Sequence, residues 1–379
     1  MKLGFDTTSI LGNSGIETYG RELLKALIQL YQEHEFHLIT NKNKKGKIAS
    51  IFGNTPNIIY HNCMPHELML GEALSPITRV IKNLIWKRKE KYIDLFHFTY
   101  FFRLPKIRNY AVTLHDLFLL DYPEKKLERK FKKSINYILK NAALIFVPSY
   151  YVAQDLTRFH PDSKDKIIVT YEGVSGNYKK IPKEHIKLSE YGIQPDETFF
   201  LYVGRIDPRK NLSGLIEAYS LLPEEVRREH RLVLVANGKG LLMEELKSKI
   251  IENGIKGNTI LLQSIPENKL IELYSAAFCF VFPTHGEGFG LPVLEAMKCG
   301  CPVITSNNTS LPEVAGNAAI LINPEDINEI KNAMLKIISD NELRERLIEE
   351  GFRNASLFSW EEAARRTMKG YQTIFNNKL

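Results

Sequence analysis

Apolar residues recur along this chain in two alternating rhythms. Short runs, several of them continuous, are separated by longer stretches in which apolar residues return every three or four positions. Lys2–Asp6, Glu35–Thr40, Asn57–Tyr60, Ile93–Phe98, Ala111–Leu114, Ala143–Val147 and Lys166–Thr170 have the length and content of strands. Continuous apolar runs mark strands covered on both faces, the condition of a parallel sheet. The clearest helix is Ile16–Tyr31, where Leu23, Leu24, Leu27, Ile28 and Tyr31 share one face.

A polar stretch, Asn177–Thr198, carries Pro182 and Pro195 without clear periodicity and reads as a linker. The strand and helix pattern then restarts. Strands are expected at Phe199–Val203, Arg231–Ala236, Thr259–Gln263, Phe278–Phe282, Pro302–Thr305 and Ala318–Ile322, with helices such as Leu212–Leu222 and Lys269–Ala277 between them. Two such series predict two α/β domains, each a parallel sheet with helices on both faces. Ligands of these folds sit outside the carboxyl ends of the strands, and two domains offer a cleft between two such edges.

A length of 379 residues agrees with two domains, and 44% hydrophobic with 25% charged residues excludes disordered and fibrous classes. No repeat is present, and no apolar run approaches the roughly 18 residues of a membrane span. Met1–Asp6 meets charge too early for a secretory leader, so a cytoplasmic protein is expected. Cys63, Cys279, Cys299 and Cys301 form neither a disulfide framework nor paired zinc ligands, which leaves reduced, structural thiols. The net charge of +7 hides a division: residues 1–190 hold 30 basic and 19 acidic side chains, the remainder 21 and 25. The surplus belongs to the first half, which is expected to face something anionic.

Two segments of the second half carry chemistry. In Gly204-Arg205-Ile206-Asp207-Pro208-Arg209-Lys210-Asn211 a strand ends and a helix begins. Arg grips phosphate with parallel hydrogen bonds, Lys adds a point charge, and a helix start supplies unbonded N–H groups, so a diphosphate site is expected. A solvated basic loop is the bland alternative. Further on, Pro283-Thr284-His285-Gly286-Glu287-Gly288-Phe289-Gly290-Leu291-Pro292-Val293-Leu294-Glu295-Ala296 again joins a strand to a helix through glycines that let backbone approach a ligand. Eight helical positions span about 12 Å, too far for the carboxylate pair of a retaining glycosidase, so Glu287 and Glu295 are expected to bind separately.

The spacing Glu287-x₇-Glu295, the Gly-Phe-Gly-Leu-Pro core and the upstream Gly-Arg-x₄-Lys-Asn together resemble family 4 of the retaining glycosyltransferases, and the resemblance covers nearly the whole chain. It implies the GT-B fold: two Rossmann-like domains with parallel sheets facing across a cleft, an N-terminal acceptor domain (1–178, completed by a returning helix at 360–379) and a C-terminal nucleotide-sugar domain (179–359). By the same resemblance Arg205 and Lys210 hold the donor diphosphate, and Glu295 binds the ribose. Glu287, with the backbone of Phe289 and Gly290, binds hydroxyls of the transferred sugar, and Gly288 and Leu291 belong to the same donor site. The turn Gly12-Asn13-Ser14-Gly15-Ile16-Glu17 resembles the family's glycine loop, with Ser14-Gly15 replacing an adjacent glycine pair; Gly15 is expected near the donor and Gly12 near the acceptor.

His115-Asp116 closes the strand Ala111–Leu114. A lone histidine is more often structural than catalytic, but the family carries one at this point. His115 is expected to hydrogen-bond the donor sugar or reacting region, and Asp116 to orient it or bind acceptor hydroxyls. His115–Glu124 resembles bacterial mannosyltransferases of polysaccharide and O-antigen synthesis, which suggests mannose from GDP-mannose. UDP-glucose or another UDP-sugar is the alternative donor, and a glycan or lipid-linked molecule the expected acceptor. With no D-x-D motif, no metal and no further cofactor are expected. A synthase with a small soluble acceptor would share the phosphate grip; a non-catalytic sugar-nucleotide-binding protein would be expected to lose part of the set Arg205, Lys210, Glu287 and Glu295.

Two basic amphipathic segments, Pro76–Ile93 and Lys125–Lys140, suggest docking on an anionic inner membrane face as a peripheral protein. In the first, Ile77, Val80, Ile81, Leu84 and Ile85 share a face beside Trp86, an interfacial residue type. In the second, Leu127, Phe131, Ile135 and Ile138 interleave with lysines. The competing reading packs both apolar faces on the sheet. No nucleic-acid module accompanies the charge, so a nucleic-acid partner is not expected.

Overall fold

A computed structural model describes residues 1–8, 10–12, 14–62, 76–100, 104–118 and 125–376, with backbone alone at 76–82, 125–127 and 130. Internal contacts divide the chain into two units: Met1–Gly173 together with the chain from Trp360 onward, and Val174–Ser359.

In the first unit β1 (Lys2–Asp6), β2 (Glu35–Thr40), β3 (Ile58–Asn62), β4 (Leu95–Phe98), β5 (Tyr110–Thr113), β6 (Leu144–Val147) and β7 (Ile167–Val169) form one parallel sheet in the order β3-β2-β1-β4-β5-β6-β7. The second unit repeats the plan. Its β8 (Thr198–Arg205), β9 (His230–Asn237), β10 (Thr259–Leu262), β11 (Cys279–Phe282), β12 (Val303–Ser306) and β13 (Ala319–Ile322) are ordered β10-β9-β8-β11-β12-β13. Central strands such as β4, β5, β6 and β11 are buried along their whole length, which is why their sequences read as unbroken apolar runs. Strand order reverses direction at β1/β4 and at β8/β11, and at such switch points the loops leaving the carboxyl ends diverge and open a crevice. The loop after β1 carries Gly12, the turn after β8 carries Asp207, Arg209 and Lys210, and the loop after β11 carries Gly286, Glu287, Gly288 and Gly290.

The stretch Asn177–Thr198 is not a free linker. Tyr178, Leu188 and Ile193 are buried, and Ile181 and Lys187 donate backbone N–H groups to Ser275 Oγ (3.1 Å) and Glu272 Oε2 (2.8 Å). Its apolar anchors are too widely and unevenly spaced to register as a period. The last helix, Trp360–Asn376, packs on Gly15–Leu30 of the first unit and buries Trp360, Ala364, Met368 and Tyr371. Tyr19 and Trp360 meet edge to face at 5.8 Å, and Tyr371 Oη lies 2.5 Å from His97 Nδ1.

Helices Pro76–Lys89 and Lys125–Asn141 form where the basic segments predict them. Trp86, however, is a core residue: it is fully buried, with ring centroids 5.5 and 5.3 Å from Phe96 and Phe98. Phe131, Ile135 and Ile138 enter the same cluster. The sheet offers these side chains a better apolar surface than a membrane boundary, and emptying one of the aromatic positions costs about 3–5 kcal/mol. Leu84 is exposed. The side chains of Ile77, Val80, Ile81 and Leu127, the residues 119–124, Asn13 and Cys63 lie outside the described residues. Cys279, Cys299 and Cys301 are buried and unpaired. No helix among the described residues is long and apolar enough to cross a membrane.

Candidate functional site

In the second unit β8 delivers Arg205 to the sheet edge, and the chain then tightens into a single 3₁₀ turn, Pro208–Lys210. Asp207 caps it by accepting from Arg209 N at 3.0 Å. The same carboxylate lies 3.7 Å from the Arg205 guanidinium and 3.6 Å from that of Arg209, so one acid spaces two cations. Asn211 takes a left-handed conformation (φ 52°), caps helix Leu212–Ser220 at Gly214 N (3.1 Å) and donates to Pro324 O (2.8 Å).

The loop after β11 is tied to this turn through backbone. His285 N and Thr284 Oγ1 both donate to Arg209 O, at 2.7 and 2.8 Å. From the loop after β12, Thr309 Oγ1 accepts from Glu287 N (3.2 Å), while Ser310 Oγ reaches Glu287 O (2.9 Å) and Phe289 O (2.7 Å). Gly290 sits at φ 121°, and a Cβ there would come within 2.8 Å of Leu311 Cδ2, so both conformation and space require glycine. Pro292 then fits the first turn of helix Leu291–Lys298. Phe289 is buried against Phe358, with ring centroids 5.7 Å apart, and presents backbone rather than its ring to the loop surface.

These ties bring Lys210 against Glu287, and Lys210 Nζ donates to Glu287 Oε1. Their side chains are only 14% and 13% exposed, so the pair is shielded, whereas Arg205 stands 66% exposed. Lys210 also lies over the Phe282 ring at 5.3 Å. Each charge neutralises the other until a competing ligand arrives; an anion that takes Lys210 releases the Glu287 carboxylate. Glu295 projects from the following helix, where Tyr274 Oη donates to its Oε2 at 3.2 Å and Tyr178 supplies a second hydroxyl bond. Burial pushes its carboxyl up to about 7, against the opposing pull of the two phenols.

In the first unit the turn after β1 leads into helix Gly15–Leu30. Glu17 reaches back to accept from Ser14 N at 2.8 Å, placing a carboxylate at the helix N-terminus. That carboxylate packs on Gly12, where a Cβ would fall 2.2 Å from it; at Gly15 the corresponding space is open. His115 follows β5 and is buried. Its Nδ1 lies 3.2 Å from Glu172 Oε1 and its Nε2 3.2 Å from Thr99 O, so any bond from this ring to a ligand replaces a bond within the protein. Tyr19 meets the ring edge-on at 4.8 Å. Asp116 Oδ1 accepts from Phe118 N at 3.1 Å, shaping the turn after the strand. Beneath His115 a buried polar chain runs from Tyr371 through His97 and Thr113 to Tyr19. Burial lowers His97 to about 3, which keeps it neutral.

The site expected from the sequence thus falls into two groups. Arg205, Lys210, Glu287, Gly288, Phe289, Gly290, Leu291 and Glu295 share one sheet edge of the second unit; Gly12, Gly15, His115 and Asp116 follow β1 and β5 of the first. Missed were Thr309, Ser310, Tyr178 and Tyr274, and above all Glu172. The polar pair Thr309-Ser310, just beyond a strand end, was a usable signal; the partnership of Glu172 with His115 had none in local spacing.

Two parallel-sheet Rossmann-like domains, each with its switch point beside such loops, have the GT-B architecture. Solved structures share that fold over the full chain. The sucrose-phosphate synthase of Thermosynechococcus elongatus superposes with TM-score 0.78 at 21% identity, covering 99% of both chains. Anabaena HepE, solved with UDP and glucose, superposes with TM-score 0.77 at 17% identity over 98% of this chain and 100% of that one. The family described as Glycosyltransferase Family 4 matches residues 13–176, and that described as Glycosyl transferases group 1 matches residues 184–354. O-antigen chain mannosyltransferase B of Escherichia coli is 30% identical over 390 aligned positions, covering 99% of this chain and 100% of that protein. The chain belongs to glycosyltransferase family 4.

Proposed function

We propose that this glycosyltransferase moves mannose from GDP-mannose to a glycan or lipid-linked acceptor with retention of anomeric configuration and without a metal. The observation that carries the reading is the shielded Lys210–Glu287 pair beside exposed Arg205. A cation held ready for phosphate and a carboxylate released for hydroxyls are the two halves of nucleotide-sugar recognition. The mannosyltransferase relative supports the choice of sugar.

In this mechanism the acceptor hydroxyl forms its new bond to the anomeric carbon on the face from which the diphosphate departs. The bond to the diphosphate oxygen breaks with its electron pair leaving on phosphate, and the acceptor proton passes to that phosphate. Arg205 and Lys210 stabilise the charge as it develops. Glu287 and the N–H groups of Phe289 and Gly290 hold the sugar, and Glu295 holds the ribose. His115 contacts the donor by exchanging its bond to Thr99 O, with Gly15 leaving room for the donor and Gly12 and Asp116 shaping the acceptor side.

A thermal-shift and hydrolysis panel across GDP-, UDP- and ADP-sugars tests the donor. Saturation at about 100 times Kd stabilises by about 2.7 kcal/mol. A shift with UDP-glucose and none with GDP-mannose would replace mannose by the UDP-sugar reading, which HepE with its bound UDP favours. No shift with any nucleotide sugar removes the donor site.

The protein is proposed to work in the cytoplasm on the inner membrane face. Exposed Arg129, Lys132, Lys133 and Lys140 on one helix provide electrostatic attraction to anionic lipid, without insertion of the buried apolar face. Co-sedimentation with anionic but not neutral vesicles, lost at high salt, is the expected result.

A further inference from the structure

At the amino ends of β8, β11 and β12, the edge opposite Arg205 and Glu287, the second unit encloses a cavity of about 320 Å³. Thr198 and Phe199 open β8 there, and Phe278 and Pro302 immediately precede β11 and β12. The volume falls within the range of small-molecule sites, about 300–1,000 Å³. The walls are mixed: Ile181, Leu188, Ile193 and Ile348 supply aliphatic surface beside polar and charged side chains.

Two cations face this cavity without a carboxylate partner among the described residues: Lys180 and Arg344. The acids of the lining are already engaged, Asp196 by Lys183 and Glu197 by Arg231, each at 2.8 Å. Arg344 is also pre-positioned. Its guanidinium carbon stacks 5.1 Å from the Phe278 ring centroid, and its Nε is buried without a hydrogen-bond partner. Lys180 runs its stem over Gly300, whose φ of 71° and missing Cβ, which would fall 2.9 Å from Lys180 Cδ, leave that path open. Buried donors in folded proteins nearly always find an acceptor. The stacked arginine's orphaned N–H, beside the exposed cation Lys180 and a partly aliphatic wall, leaves room for an acceptor supplied from outside.

We propose that this cavity is a second ligand site, distinct from the donor site, for a single-chain amphiphile with an anionic head. The alkyl chain lies along the isoleucine and leucine walls. The phosphate or carboxylate head bonds to Arg344, whose planar fork suits either group, and is neutralised further by Lys180.

Titration calorimetry on the full chain tests this with dodecyl phosphate below its micelle concentration. One molecule binds per chain, and Arg344→Gln or Lys180→Gln weakens binding by about tenfold or more, as expected for loss of a charge-assisted bond. Ile348→Trp, which fills the cavity, abolishes binding; a thermal melt shows whether that variant is folded, and the two charge variants decide the matter if it is not. Dodecyl maltoside, with the same chain and no charge, and inorganic phosphate, with the charge and no chain, both bind far more weakly. Equal affinity for the maltoside, or an unchanged affinity in Arg344→Gln, overturns the proposal.

Discussion

The two units share a sheet plan and differ in how their candidate residues are held. In the second, the turn at Asp207–Asn211 and the loop Thr284–Gly290 are bound to each other through backbone and hydroxyl bonds, and their charged side chains stay near the surface with one shielded ion pair between them. In the first, His115 is a buried ring fixed at both nitrogens and seated on a polar chain that reaches the last helix. The second unit therefore holds its candidate loops together mainly through backbone and hydroxyl bonds, while the first builds its candidate ring into the core. Substitution should act mainly on activity in one and mainly on stability in the other.

The largest effect that would sharpen this contrast is at Lys210. Lys210→Ala is expected to lower kcat about 10²–10³-fold, the cost of one donor to developing charge, and to lower the melting temperature too, because Glu287 is left shielded without its partner; Arg205→Ala, at an exposed position, leaves the melting temperature nearly unchanged. Near-normal transfer would remove Lys210 from the chemistry. Glu172→Gln should act first on stability: it replaces a buried, charge-assisted partner of His115 and costs about 1–3 kcal/mol of stability. Urea unfolding should show the loss in the first unit's transition alone; an unmoved midpoint would contradict the buried role of the pair.

Glu295 gives a smaller, pH-dependent test. Its carboxyl titrates near 7 in the folded protein against an ordinary value of 4.5, so the folded state holds a proton that the unfolded state has released. Stability should fall as pH rises between those values, by about 2 kcal/mol once partial exposure is allowed for, and Glu295→Gln should flatten that slope. Parallel melting curves for the two proteins across pH 5–8 would show that the carboxyl is not held neutral. The smallest effect is expected for Lys132→Glu with Lys133→Glu. Exposed positions change stability within about 0.5 kcal/mol, so turnover with a soluble acceptor should persist while anionic vesicle binding drops. Equal loss of both would mean that this helix supports the site rather than the surface.

All thirteen strands among the described residues were legible in the sequence, since central parallel strands are apolar throughout and are bounded by turn residues. The grouping of the second unit's candidate residues was legible for a related reason: they lie within two short segments, and their spacing survives as a pattern. What failed to show was long-range. Glu172 is 57 residues from His115, and Tyr371 is 274 from His97. Trp86 misled because an aromatic beside lysines has the same signature on a membrane surface as on a sheet; only the neighbours Phe96 and Phe98 decide it.

The return of Trp360–Asn376 to the first unit has a consequence for how the chain is made. The second unit, Val174–Ser359, is contiguous and can close as soon as it emerges, whereas Tyr19 and His97 must await Trp360 and Tyr371. At about 5–20 residues per second, the intervening stretch takes roughly ten to forty seconds to synthesise. Through that interval the first-made half of the protein is the last to be finished, with an apolar helix face that chaperones can recognise.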